Sequence, residues 1–162
     1  MRMGAALLPE FDQEMKTTRR LLERVPDGKG EWKPHPKSFP LAHLAQLVAW
    51  MPGWIGQALR TTRLDVRSGS GYTYESTATL LDMFDKNVRD TREALEQAKD
   101  EDFAVPWTLA AGDRDLMTMP RAAVVRQTIS HLSHHRGQLT VYLRMLDVPI
   151  PSIYGPTADE GW

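Results

Sequence analysis

No cysteine occurs among the 162 residues, which excludes disulfides and thiolate metal sites. Any metal this chain holds must be held by His, Asp, Glu or water, a donor set that suits zinc, nickel, iron or manganese. No charge of one sign dominates. The formal net charge is −1 with Lys and Arg scattered, so there is no basic stripe of the kind that follows a nucleic-acid backbone. No apolar run approaches the length of a membrane-spanning helix. The run Ala5-Ala6-Leu7-Leu8 meets Pro9, Glu10 and Asp12 at once, too soon for a signal-peptide core, and the expected compartment is the cytoplasm. Internal repeats, low-complexity segments and serine or cysteine nucleophile motifs are missing too. What remains, 41% hydrophobic and 25% charged, is the composition of one soluble globular domain spanning residues 1–162.

Four stretches carry apolar residues at helical spacing. The first runs from Ala5 to Arg24, with Leu7, Phe11, Met15, Leu21 and Leu22 in phase. Pro9 fits only in a first turn, which moves the expected start toward Leu8. A Gly- and Pro-rich loop over 28–38 follows, with Trp32 expected to tuck it onto the core. The second helix begins near Pro40 and reaches Thr61, and Pro52-Gly53 is expected to interrupt and bend it. Arg63 to Tyr74 is polar and Gly/Ser-rich, a connecting loop. Ser76 or Thr77 caps the third helix, which reaches Ala98. Within Lys99 to Met119, Trp107-Thr108-Leu109 and Leu116-Met117-Thr118 flank Gly112-Asp113, the pattern of a short hairpin. Thr118 caps and Pro120 opens the fourth helix, which reaches Leu146. The tail from Pro149 to Trp162 is not helical. Four amphipathic helices predict an all-α four-helix bundle, and the connections 62–75 and 99–118 are long enough that at least one crosses it.

Three of the five histidines fall within His131-Leu132-Ser133-His134-His135, on the fourth helix. His131 and His135 lie one turn apart on one face, within about 40° on a helical wheel, while His134 points away. Val125, Ile129, Leu132, Leu139, Leu143 and Leu146 form the apolar face of that helix. Beside it runs a second stripe: Val124, Thr128, His131, His135, Gln138 and Tyr142. On the second helix, His43 shares a stripe with Leu47, Trp50 and Trp54 near the inward face. Paired helical histidines are often surface or hydrogen-bonded core residues. Two from one helix and one from another also make a ligand set of the kind found in open catalytic metal sites.

The stretch His134-His135-Arg136-Gly137-Gln138 resembles the DinB (YfiT-like) superfamily. So do Trp32-Lys33-Pro34-His35-Pro36-Lys37-Ser38, Met51-Pro52-Gly53-Trp54, Phe84-Asp85-Lys86-Asn87-Val88, Pro106-Trp107-Thr108-Leu109 and the segment from Asp147 to Pro156. The likeness covers nearly the whole chain. It implies a four-helix bundle with an up-down-down-up course, often dimeric. It also implies a divalent metal held by three histidines, one on the second helix and an i, i+4 pair on the last, matched here by His131 and His135. This chain departs from the pattern at the second-helix ligand. Counted without gaps, that position falls on Leu47, and the available histidine, His43, lies one turn earlier, about 5.4 Å along the axis. Either His43 serves as third ligand or the site is weakened.

The resemblance further implies a metal-dependent enzyme acting on a small molecule, by thiol S-transfer with a low-molecular-weight thiol or by hydrolysis. The alternative is a non-catalytic, metal-depleted, small-molecule-binding or stress-related dimer. Gln138 and Tyr142 extend the histidine stripe toward a substrate. Arg136, at the edge of the apolar face, is expected in a surface salt bridge or facing an acidic substrate. Gly137 is expected to admit another backbone. The apolar circumference of the second helix, including Trp50 and Trp54, predicts a homodimer.

Overall fold

The computed structural model describes residues 2–69, 71–72 and 76–161. The chain forms α1 (Met3–Leu22), α2 (Leu41–Arg60), β1 (Arg63–Asp65), a 3-10 turn (Val66–Ser68), α3 (Thr77–Gln97), α4 (Asp100–Ala104), β2 (Pro106–Ala111), β3 (Arg114–Pro120) and α5 (Arg121–Met145). It is mostly helical, and the four expected helices correspond to α1, α2, α3 and α5. α3 packs on α1 and α2, and α5 on α2 and α1. Phe11, Leu21, Leu44, Ile55, Phe84 and Leu139 meet in the core between them. Among the described residues no helix is long and apolar enough to cross a membrane.

α1 starts earlier than Pro9 suggests, because its first turn is docked on α3. A Cβ on Gly4 would stand 2.1 Å from the Leu95 carbonyl oxygen, so only glycine permits that approach. The Met3 amide also donates to Asp100 Oδ1 at 2.7 Å. Pro9 therefore sits mid-helix on an exposed face, where its missing N–H removes one bond without ending the helix.

α2 likewise runs through Pro52 uninterrupted, and α3 supplies the reason. Asn87 Nδ2 donates to the Ala49 carbonyl at 3.1 Å, and Thr91 Oγ1 donates to the Pro52 carbonyl at 2.7 Å. These bonds serve carbonyls around the turn that proline disturbs. Gly53 and Gly56 make them possible, since a Cβ would lie 2.9 Å from Asn87 Oδ1 and 2.6 Å from Thr91 Oγ1.

The all-α expectation is corrected by a three-stranded sheet in the order β1-β2-β3. β1 pairs parallel with β2, and β2 antiparallel with β3. The hairpin turns where Gly112-Asp113 predicts. Gly112 has φ of +63°, and a Cβ there would collide with the Arg67 guanidinium. β1 falls in the stretch expected to be loop, because three residues are too few for periodicity to show. Residues 70 and 73–75 of the 62–75 connection lie outside the described residues. Thr118 belongs to β3, so Pro120 rather than Thr118 is the N-cap of α5. Thr61 ties the sheet to the helices. Its carbonyl accepts from Arg121 Nη2 at 2.7 Å, its hydroxyl accepts from Trp107 Nε1 at 3.2 Å, and the Thr62 carbonyl accepts from the Thr108 amide at 2.9 Å.

Candidate metal site and adjoining cavity

α5 positions the site. Val125, Ile129, Leu132, Leu139 and Leu143 are buried, as the wheel predicts, and so are Thr128, His135 and Tyr142 on the neighbouring stripe. His131 is exposed, one turn from buried His135. Their Nε2 atoms face each other at 2.9 Å, and His135 Nδ1 lies 2.7 Å from Gln138 Oε1. A carbonyl oxygen only accepts, so Nδ1 of His135 carries the proton and its Nε2 presents a lone pair. Without metal, the His131 Nε2–H donates to that lone pair. A divalent ion bound at about 2.0–2.1 Å from each nitrogen would take the place of that proton. The pair therefore fits two ligands of a metal, with Gln138 holding the buried ring in orientation.

His43 is half-buried on α2. It stacks between Phe39, with ring centroids 4.2 Å apart, and Tyr72, at 3.5 Å, and Tyr72 in turn stacks on Trp50 at 5.0 Å. It is close enough to His135 that charge there disfavours its protonation. Among the described residues, no three His, Asp or Glu side chains are gathered as a ready metal cluster. Leu47 is buried in the core, 6% exposed. His134 is exposed, its ring edge-on to His135.

All three candidate ligands are held below the usual imidazole value of 6.5. Partial desolvation by the surrounding protein is the main cause in each, for the exposed His131 as well. His135 charge adds to it for His43 and His131, and His134 charge adds to it for His131 and His135, while the Gln138 bond works the other way at His135. The unfolded chain thus binds protons first as pH falls. The histidine contribution is intact above about pH 6.5 and is lost as pH drops through the lowered folded values. The lowered carboxylates Asp65, Asp90, Asp159 and Glu160 start from 3.8 or 4.5 and titrate below that window. The melting temperature of metal-free protein should fall between pH 7 and pH 5. The fall should shrink in a His131→Gln/His135→Gln variant, and an equal fall in both proteins would contradict this assignment.

Tyr142, Gly137 and Arg136 lie on the same helix. Tyr142 packs edge-on under Trp32 at 5.6 Å and donates to the Phe39 carbonyl at 3.2 Å, fixing the loop that precedes α2. Gly137 is exposed, and among the described residues nothing lies within 4 Å of where a Cβ would stand, so no other described backbone approaches it. Arg136 is buried, not in the surface salt bridge expected. Its side chain is 1% exposed and pairs with Glu14 at 2.6 Å. It also donates to Thr18 Oγ1 at 3.0 Å and to the Tyr154 hydroxyl at 2.6 Å.

Beside His131 opens a cavity of about 320 Å³ between the sheet and helices α2 and α5. Leu64, Leu109 and Met117 line it as one cross-strand row, set by the register that pairs Leu64 with Leu109 and Leu109 with Met117. Trp107 adds to the sheet side, and Trp54 and Val124 face it from the helices. The hairpin pattern indicated β2 and β3. The cavity itself depends on β1, which left no periodic signal.

The model of the DinB family matches residues 1–161. The protein named Uncharacterized protein YrdA, from Bacillus subtilis strain 168, is 43% identical over 42 residues, and that match spans 26% of this chain and 25% of the relative. Three solved structures share the fold. A DinB-like protein from Bacillus cereus ATCC 10987 has a TM-score of 0.72 at 21% identity, over 91% of this chain and 95% of its own. The DinB-like YjoA from Bacillus subtilis has 0.69 at 18%, over 88% and 92%. A DinB-family protein from Exiguobacterium sibiricum 255-15 has 0.64 at 16%, over 91% and 94%.

Proposed function

This chain belongs to the DinB family, and we propose that it binds one divalent metal ion through His131 and His135, with His43 as third ligand, and acts enzymatically on a small molecule. The observation that carries this reading is the facing Nε2 pair at 2.9 Å with the buried ring oriented by Gln138. A bound zinc, nickel, iron or manganese ion supplies Lewis-acid polarisation of a carbonyl, or a lowered pKa for water or a thiol, chemistry suited to S-transfer or hydrolysis. His135 holds its proton on Nδ1 against Gln138. His43 stays neutral and walled by Phe39 and Tyr72. An apolar-lined cavity adjoins His131. We read the four long helices as the family's bundle, with the sheet inserted in its two long connections.

A ligand that binds only the folded state raises the melting temperature with its concentration. Adding these metals to chelator-treated protein should raise it in the parent and leave it unchanged in His135→Ala. An equal rise in both would place the metal elsewhere. The second reading, a metal-depleted binding protein, is favoured by Leu47 standing buried where the family carries its second-helix ligand.

We also propose a homodimer. Val141 and Met145 on α5 are 57% and 55% exposed, while Trp50 and Trp54 are largely covered within the chain, which moves the candidate apolar surface from α2 to α5. Sedimentation at micromolar concentration should show twice 18.4 kDa, and a purely monomeric profile would oppose it.

A further inference from the structure

We propose that the cavity between the sheet and α5 binds a small, uncharged, largely apolar molecule of about one or two aromatic ring systems, oriented by one polar group toward α5. Of its ten lining residues, seven are apolar, two of them tryptophans, and among the described residues none is Asp, Glu, Lys or Arg. A charged ligand would therefore be desolvated there without a partner. At about 320 Å³, the cavity lies at the small end of ligand sites, which run about 300–1,000 Å³. The indole rings of Trp54 and Trp107 and the Leu64–Leu109–Met117 row among the lining residues favour an aromatic ring over a flexible chain.

The polar groups are confined to one wall. Gln127, Thr128 and His131 all come from α5. Thr128 Oγ1 already donates to the Val124 carbonyl at 2.8 Å, so its remaining capacity is to accept. A ligand O–H or N–H fits Thr128, and the exposed Gln127 amide can both donate and accept. The polar end of the ligand then lies against the wall that carries His131. Retaining such an apolar hollow forgoes packing contacts a filled core would make, which is expected of a site and not of a scaffold.

Reading the occupant as the substrate rests on the metal reading above, whereas its binding does not. The test uses N-phenyl-1-naphthylamine, a neutral fluorophore of two aromatic ring systems, a naphthalene and a phenyl, joined by one N–H, titrated into the full chain. Emission should rise and saturate at one probe per chain, with energy transfer from tryptophan. The anionic 1-anilinonaphthalene-8-sulfonate should bind at least about tenfold more weakly, because its charge has no partner. Two variants address the cavity from different sides. Val66 is 50% exposed at the rim, so Val66→Glu introduces charge without touching the core, and Leu64→Trp fills the space. Each should weaken the probe by about tenfold or more. Treating the protein with a chelator removes any metal and leaves every lining residue in place, so it should leave probe affinity within about threefold, and loss of the metal reading and loss of the cavity reading give different results. Absence of saturable binding, equal binding of the anionic probe, or indifference to both cavity variants overturns the proposal.

Discussion

Arg136→Ala should lower the unfolding free energy by about 3–5 kcal/mol, the cost of leaving a buried charge without its partner. Domains hold only about 5–15 kcal/mol in total, so the melting temperature should drop by about 10 °C or more. The cause is geometric. Arg136 on α5 reaches across to α1, where it meets the Glu14 carboxylate at 2.6 Å and the Glu14 carbonyl at 3.2 Å. Tyr154, from the tail, closes the network. Its hydroxyl accepts from Arg136 and donates to the Glu14 carboxylate at 3.0 Å, while Arg136 lies over its ring at 5.1 Å. Removing either charge strands the other, so Glu14→Leu should be comparably damaging. The double variant Glu14→Leu/Arg136→Met should recover most of the loss, since the uncompensated charge disappears. Chemical denaturation of the four proteins decides the point. If Arg136→Ala costs under about 1 kcal/mol, the pair is not a structural clamp.

Within the metal site, ligand and orienting residues should separate by magnitude. His135→Ala removes a donor and should abolish binding of the divalent ion. Gln138→Ala leaves both imidazoles but frees the buried ring, and should weaken affinity by about 10–100-fold. His43→Ala should weaken it too if His43 is the working third ligand. Leu47→His adds an imidazole at the family position and should tighten binding if the offset to His43 is a handicap, although it also replaces a buried apolar side chain. Calorimetric titration of one metal across the series tests this. If Leu47→His leaves affinity unchanged while His43→Ala destroys it, His43 is already a fully competent ligand. If neither change matters, α2 supplies no ligand.

The features legible in the sequence are those with a local period. The stripe of α5 separated His131 and His135 from His134, and the structure brings the first two to 2.9 Å. The α3 cap is readable as Ser76 or Thr77, and Ser76 fills it, its hydroxyl accepting from the Thr79 amide at 3.1 Å. Gly112-Asp113 marked the hairpin. The illegible features are contacts between distant segments. Pro9 and Pro52 look like helix breakers until α3 is seen to dock on α1 and to bond the carbonyls of α2. The sheet was half visible, because β1 is three residues long and is specified by its pairing with β2. Arg136 and Glu14 are separated by 122 positions, and no local pattern distinguishes a buried arginine of this kind from one at the edge of a solvated face.

Metal content tests the central claim most directly. Protein purified without a histidine tag, incubated with zinc, nickel, iron or manganese and desalted, should carry about one ion per chain by elemental analysis, as one shared site requires. Both His131→Ala and His135→Ala, folded by circular dichroism, should carry almost none. A parent chain that retains no metal, or two variants that retain the parental stoichiometry, would contradict the account.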